Sequence, residues 1–323
     1  MLASRILGGV VAALAGLAIS AQAETWDMPT PYPDATFHTV NINQFASDVA
    51  AATDGALEIN VHSAGSLFKH PEISKAVRSG QVPIGEFFLS LLANDNPAFG
   101  ADSLPFLATN YDDAEALWAA QKDVISGLLE EQGMMVLYAV PWPPQGLYTT
   151  SEVTSVEDLA GLKFRTYNAT LEEFANLAGA APTQVEVPDI PQAFSTGRVE
   201  AMITSPSTGV NSKAWDFLTY YTDIQAWIPK NVVVVNTRAF RRLDDATQAA
   251  VLEAAAAAEA RGWEMSRAET EAQTAVLAEN GITVVEPSEE LMTGLRAIGD
   301  QMLENWKAEA GDAGAALLSA YGQ

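Results

Sequence analysis

The chain has 323 residues, no cysteine and a formal net charge of −24, from 41 acidic and 17 basic side chains. Without cysteine there can be no disulfide, no thiol chemistry and no Cys-based zinc site, and the acid excess argues against nucleic acid or anionic lipid as partners. A chain of this length can bury a sizeable core, and two lobes are expected.

Residues 1–23 carry Arg5, an apolar run from Ile6 to Ile19 and the small-x-small triplet Ala21-Gln22-Ala23. This is the pattern of a secretory signal peptide cleaved after Ala23. The run is shorter than the roughly 20 residues that a membrane-spanning helix needs. The mature protein is therefore expected to be exported and soluble in the periplasm. Losing Arg5 leaves it one unit more acidic.

Thr25–Met28 reads as a first strand before a turn rich in proline. Phe37–Thr53 carries a helical apolar stripe that Gly55 stops. Leu57–Val61 alternates as a second strand. Glu72–Ser79 is a short helix with Pro71 ahead of it and Gly80 behind, and Val82–Leu89 gives a third strand. Its end brings Glu86 and Phe87 towards the mouth of the sheet. The three histidines, His38, His62 and His70, show no metal spacing and have no nucleophile motif beside them; surface or helix-cap roles are expected. Asn94-Asp95-Asn96 reads as a turn before Pro97. Tyr111–Gly133 is helical, and Met134–Ala139 is a buried strand that runs into the stiff crossover Val140–Gly146, with three prolines.

The stretch from Thr149 to Pro206 reads as three strands, Leu162–Thr166, Thr183–Val187 and Glu200–Thr204, separated by helices at Leu171–Ala178 and Ile190–Thr196. Such alternation implies βαβ units and a parallel sheet, with ligands at the carboxyl ends of the strands. The first of these strands delivers Arg165 to its end. Lys163, Arg165 and Arg198 are the only basic residues in this stretch. A guanidinium is a rigid fork that matches a carboxylate in two places, so Arg165 is the candidate anchor for a small acid. Aromatic candidates around it are Phe87, Phe88, Trp142, Tyr148, Tyr167 and Trp227. Trp142 and Trp227 stand out because they lie in proline-bearing crossovers.

A helix is expected at Asn211–Leu218, and Pro229-Lys230 begins the return to the first lobe. Val232–Asn236 reads as a strand buried on both faces. From Asp245 to Glu279 an unbroken helical pattern of about 35 residues would span about 50 Å, longer than one lobe. Ile282–Val285 and a helix over Ser288–Lys307 complete the chain. There is no internal repeat and no sustained heptad.

Several of these runs, in order, resemble the solute-binding proteins of TRAP (tripartite ATP-independent periplasmic) transporters. The runs are DLAGLKFRTYN, LAGAAPTQVEV and QAFSTGRVEAM, with weaker likeness in FASDVAAATDGALEINVHSAGSL and DSLPFL. The resemblance implies an α/β, two-lobed periplasmic binding protein (type II-like) with a long helix bridging both lobes. Lobe I would comprise 24–144 and 231–270, lobe II 145–230 and 271–323, with the bridging helix at about 245–279. No cofactor is expected and no residue is assigned as a metal ligand, with a metal ion that assists ligand binding left open. The partners would be a small organic acid and the TRAP membrane subunits, with the protein itself a monomer.

On that resemblance Arg165 pairs with the ligand carboxylate, and Thr204 and Ser205 hydrogen-bond ligand oxygens. Tyr167, Trp142, Trp227, Phe87 and Tyr148 shape the rest, and Glu86 is a polar contact. Two departures matter. Leu147 stands where many acid-binding members have a second Arg, and Thr204-Ser205-Pro206 replaces an "EN-P" run. One carboxylate is therefore expected rather than two, on a hydroxy, keto or aromatic acid. The alternatives are a ligand-sensing periplasmic module for a membrane receptor and an exported hydrolase. The hydrolase would need a nucleophile–base pair or a metal, and no His lies beyond position 70.

Overall fold

The computed structural model describes residues 23–322. Of the expected signal peptide only Ala23 lies among the described residues. The first unit opens with β1 (Glu24–Pro29), α1 (Phe37–Ala52), β2 (Leu57–His62), α2 (His70–Ser79) and β3 (Ile84–Phe88). It continues through α3 (Tyr111–Glu131) and β4 (Met134–Pro141). The chain then crosses into β5 (Gly146–Thr149), β6 (Lys163–Thr166), α4 (Ala169–Leu177), β7 (Ala181–Gln184), α5 (Ile190–Ser195), β8 (Ala201–Thr204), α6 (Pro206–Asn211) and β9 (Tyr220–Thr222). It returns through β10 (Lys230–Asn236) and α7 (Thr237–Phe240) into α8 (Asp245–Glu279), then β11 (Thr283–Val285) and α9 (Glu289–Tyr321).

Three sheets result: a parallel pair β1-β2, the order β3-β10-β4, and the order β11-β9-β5-β8-β6-β7. β10 is antiparallel to both of its neighbours. In the six-stranded sheet β6 runs parallel to β7 and β8, while β5 runs antiparallel to β8 and β9. The carboxyl ends of β6, β7 and β8 therefore point the same way, towards the crossover.

The pleat sorts side chains between cores, because successive residues of a strand face opposite sides. In β10, Val232 and Val234 join Phe87 and Ala139 in one core. Val233 and Val235 join Phe88 and Tyr138 in the other. The six-stranded sheet divides likewise, with Leu147, Phe164 and Ile203 on one face and Tyr148 and Met202 on the opposite face. Phe87 and Phe88 thus belong to different environments although they adjoin in sequence.

Helix α8 starts at Asp244, whose carboxylate accepts the Thr247 amide at 2.9 Å, a good N-cap. Along its 35 residues, Val251, Ala255 and Ala258 pack with α1 in the core of the first unit, and Leu277 packs in a core of the second. The bridging helix is therefore present. Helix α9 also spans both units. Leu291, Leu295 and Met302 pack under the six-stranded sheet, whereas Trp306, Leu317 and Leu318 pack in the core beneath β10. The helix was expected to stop at Lys307, with 271–323 wholly in lobe II. It continues to Tyr321 across a break at Gly311 (φ 55°, ψ −141°), a backbone setting that glycine tolerates. The expected helix at Asn211–Leu218 begins earlier. The Ser205 hydroxyl caps it by accepting the Thr208 amide at 3.1 Å, and Pro206 opens the first turn. Lys213, at φ 52°, ends it.

Where α8 crosses α1 and β4 the backbone approach is close. A Cβ on Gly262 would lie 2.8 Å from Val140 Cγ1 and 2.9 Å from Asn41 Nδ2. Asn41 is itself committed, donating to the Ala258 carbonyl at 2.9 Å and accepting from Arg261 Nε at 2.7 Å. Helix propensity favours Ala over Gly by about 1 kcal/mol, but overpacking costs roughly 1–3 kcal/mol. Gly262→Ala should therefore lower the melting temperature. Gly127→Ala, in α3 with nothing within 4 Å of the new methyl, should raise it. A calorimetric scan of both variants checks the opposite signs.

Candidate functional site

The carboxyl ends of β6, β7 and β8 meet the crossover and the first unit around an enclosed cavity with about 380 Å³ of empty space, part of it open to solvent. From the six-stranded sheet come Arg165 and Tyr167 at the end of β6, Glu186 and Val187 beyond β7, Thr204 closing β8, and Thr208 in α6. Trp142 and Gln145 come from the crossover. The first unit contributes Tyr32 after β1, His70 opening α2, and Phe88 ending β3.

Among the described residues Arg165 is the sole Lys or Arg lining this cavity. It is 1% exposed. Its Nε donates to the Val185 carbonyl at 2.9 Å, and its guanidinium carbon lies 4.8 Å from the centre of the Tyr167 ring. Among the described residues no carboxylate lies within ion-pair distance of it. Burial pulls the guanidinium below its ordinary value, partly offset by the neighbouring Tyr167 and Glu186. A buried cation of this kind is costly unless an anion joins it.

The other expected site residues divide. Tyr167, Trp142 and Thr204 line the cavity with Arg165. Trp227 stands behind it, donating its indole N–H to the Tyr167 hydroxyl at 3.1 Å; that hydroxyl in turn donates to Gln145 Oε1 at 3.3 Å. Burial, the first cause, pushes the Tyr167 phenol well above the ordinary tyrosine range, so it stays protonated. Glu86 also stands behind the wall. It accepts from Asn231 Nδ2 at 2.8 Å and from the Thr30 hydroxyl at 2.5 Å. Asn231 Oδ1 then accepts from the Tyr32 hydroxyl at 3.1 Å and from Trp142 Nε1 at 3.0 Å.

Four expectations are corrected in position. Phe87 faces the core beneath β10, and its neighbour Phe88 lines the cavity. Tyr148 lies against Tyr221, ring centres 4.7 Å apart, and donates to the Ser205 carbonyl at 3.2 Å. Ser205 is spent on capping α6. Leu147, expected to stand in place of a second Arg, is buried with Phe164 and Ile203 and does not line the cavity. Strand parity decides the first case, and a Ser-Pro helix start decides the third.

Tyr32, His70, Gln145, Glu186, Val187 and Thr208 were not singled out from the sequence as site residues. His70 and His38 are buried rather than superficial. His70 Nε2 accepts the Phe88 backbone N–H at 3.0 Å, and its Nδ1 lies 3.2 Å from Glu186 Oε2. The ring proton therefore sits on Nδ1 and is donated to Glu186. This contact joins α2 to the segment after β7 and spans the cleft. The one available signal was that Glu186 lies just past a strand end.

A fold of two lobes around a cleft, with an arginine at the cleft floor, defines a solute-binding protein. The chain belongs to the bacterial extracellular solute-binding protein family 7 (DctP), whose family model matches residues 31–309, and it is a TRAP solute-binding protein of the DctP type. It is similar to Bordetella pertussis DctP7, an extracytoplasmic solute receptor binding pyroglutamic acid: 47% identity, 93% of this chain and 100% of that chain covered, TM-score 0.92. A marine metagenome TRAP solute-binding protein specific for pyroglutamate is 41% identical, with 93% and 99% covered and a TM-score of 0.91. A solute-binding protein of Chromohalobacter salexigens is 25% identical over 254 residues, 77% of this chain and 76% of that protein. This is a family of transport proteins and not a family of enzymes.

Glu186 sets an acid limit on the cleft. Burial raises its carboxyl, but the hydrogen bond from His70, with the Arg165 charge nearby, outweighs this and holds it below its ordinary value of 4.5. A depressed native value means that stability is gained above the unfolded value and lost as pH falls through the native one. Below about pH 5 the wild type should therefore lose melting temperature more steeply than Glu186→Gln. Parallel melts of both proteins across that acid range check the sign.

Proposed function

We propose that this protein is the extracytoplasmic receptor of a TRAP transporter and that it binds pyroglutamate, or a small cyclic monocarboxylate like it, for delivery to the membrane subunits. The observation that carries the reading is Arg165, a cation buried at the cavity floor with no carboxylate of the described chain in ion-pair reach. An anionic ligand would supply the missing charge, and the two-pronged guanidinium suits a carboxylate. Two similar structures, 47% and 41% identical, are those of pyroglutamate receptors. Their ligand, a cyclic amide acid, lies outside the hydroxy, keto or aromatic acids expected from the sequence and favours a lactam instead.

The enclosing wall fits a small, partly apolar body. Trp142, Phe88 and Val187 offer apolar surface, and Tyr32, Gln145, Thr204 and Thr208 offer hydrogen-bonding groups. In this reading the protein closes on its ligand and releases it unchanged. Export follows cleavage after Ala23, which leaves β1, beginning at Glu24, intact.

Calorimetry with the purified mature protein tests the proposal. Pyroglutamate should bind more tightly than C4-dicarboxylates or sugar acids, and ligand released by denaturation should be chemically unchanged. Removing one partner of a buried charge pair costs roughly 3–5 kcal/mol, which is on the order of a hundred- to several-thousand-fold in affinity. Arg165→Ala should lose that much while its ligand-free form stays folded. Arg165→Lys should also bind poorly, since a point charge cannot reproduce the fork. A folded Arg165→Ala that binds within about threefold of wild type, well under one decade of affinity, would end the anchor reading.

A further inference from the structure

Arg165 and Glu186 line one cavity, and the backbone ties them together. The guanidinium Nε is held by the carbonyl of Val185, the residue immediately before Glu186. The Glu186 carboxylate is held in turn. Oε2 faces His70 Nδ1 at 3.2 Å, and Oε1 accepts from Gln184 Nε2 at 3.4 Å. His70 cannot turn its other nitrogen to the task, because Nε2 is engaged by the Phe88 amide at 3.0 Å. An ionised carboxylate only accepts, and it offers about four lone-pair sites. Two are used here. The remainder can be satisfied only by a donor.

We propose that Glu186 is the specificity-determining residue of the site: it accepts a ligand N–H that lies beside the carboxylate-bearing carbon, while Arg165 takes the carboxylate. The inference rests on the anchor reading of Arg165 and deepens it. A cation that donates to the Val185 carbonyl and an anion carried by the next residue are complementary to a molecule with a carboxylate next to a donor, and the lactam ring of pyroglutamate has that arrangement. Glu186 also supplies a reason to refuse a second carboxylate, which would meet a like charge there. Leu147 cannot supply that reason, because it is buried away from the cavity.

The test compares pyroglutamate with its lactone isostere, in which a ring oxygen replaces the N–H. Calorimetry is run on wild type, Glu186→Gln, Glu186→Ala and Arg165→Ala. The lactone turns lone pairs towards the carboxylate, so the wild type should prefer the lactam by on the order of a hundredfold or more; sites built for a ligand N–H reject analogues that lack it. Glu186→Gln can turn its amide N–H to the ring oxygen, and the preference should shrink to within about one decade. Glu186→Ala should lose most of it as well. Wild type binding both compounds equally, or either Glu186 variant keeping the wild-type ratio, would overturn the inference. In that case pyroglutamate binding that is still lost in Arg165→Ala would leave the anchor reading standing. A wild type that binds neither compound would overturn both.

Discussion

A guanidinium buried without a carboxylate to meet it is the constraint on which the rest of the site depends. The protein is strongly acidic, with 41 Asp and Glu residues, so a partner for Arg165 would be easy to supply. The fold instead satisfies Nε with a carbonyl and lays the group against the Tyr167 ring. Both contacts orient the fork without neutralising it. Glu186 is near enough to raise the guanidinium's affinity for its proton, yet it is held by His70 and Gln184. Such an arrangement is costly to stability, as functional sites often are. It is affordable because the strands β5 and β8 beside it are packed on both faces.

Behind the cavity lies a second layer of buried polar groups. Glu86 holds Asn231, and Asn231 holds both Tyr32 and Trp142. Trp227 holds Tyr167, which holds Gln145. Asn231 and Trp227 flank the return crossing, and Trp142 and Gln145 lie on the outward one. The two crossings are also joined directly, by Trp142 N–H to the Pro229 carbonyl at 2.8 Å and Gln145 N–H to the Trp227 carbonyl at 3.0 Å. The side chains that shape the cavity are thus oriented by the same segments that connect the two units. Buried networks with their partners satisfied specify one geometry.

Much of this architecture was legible in the sequence, because it rests on local signals. The long apolar pattern of α8 has no internal stop, and its length alone requires it to reach both units. Arg165 is legible as the end of an alternating strand. What was not legible depends on parity and on distant partners. A one-residue difference in the pleat separates Phe88 from Phe87. Tyr148 and Leu147 are turned to opposite cores of one sheet, and neither face is the cavity. His70 and Glu186 are 116 positions apart, and no local pattern announces that they meet. The end of α9 was missed: the helix runs on past Lys307, breaks at Gly311 and resumes to dock Leu317 in the core beneath β10.

The contacts across the cleft bear on what drives closure in the proposed reading. His70 meets Glu186, and Asn168 Nδ2 donates to the Ser90 hydroxyl at 2.6 Å. Both are polar contacts, each worth little net because water competes for the same groups when the lobes part. Against them stands the desolvation of Arg165, which closure imposes and which Glu186 offsets only in part. A bound carboxylate reverses that balance, since it turns the uncompensated charge into a desolvated pair. Affinity and closure are then one equilibrium, and a ligand shifts it only by what it gains in the closed form over the open one. The helices α8 and α9, each packed on both units, confine the motion to the crossings. The anion is therefore the term that selects the closed form, and the fold supplies the path.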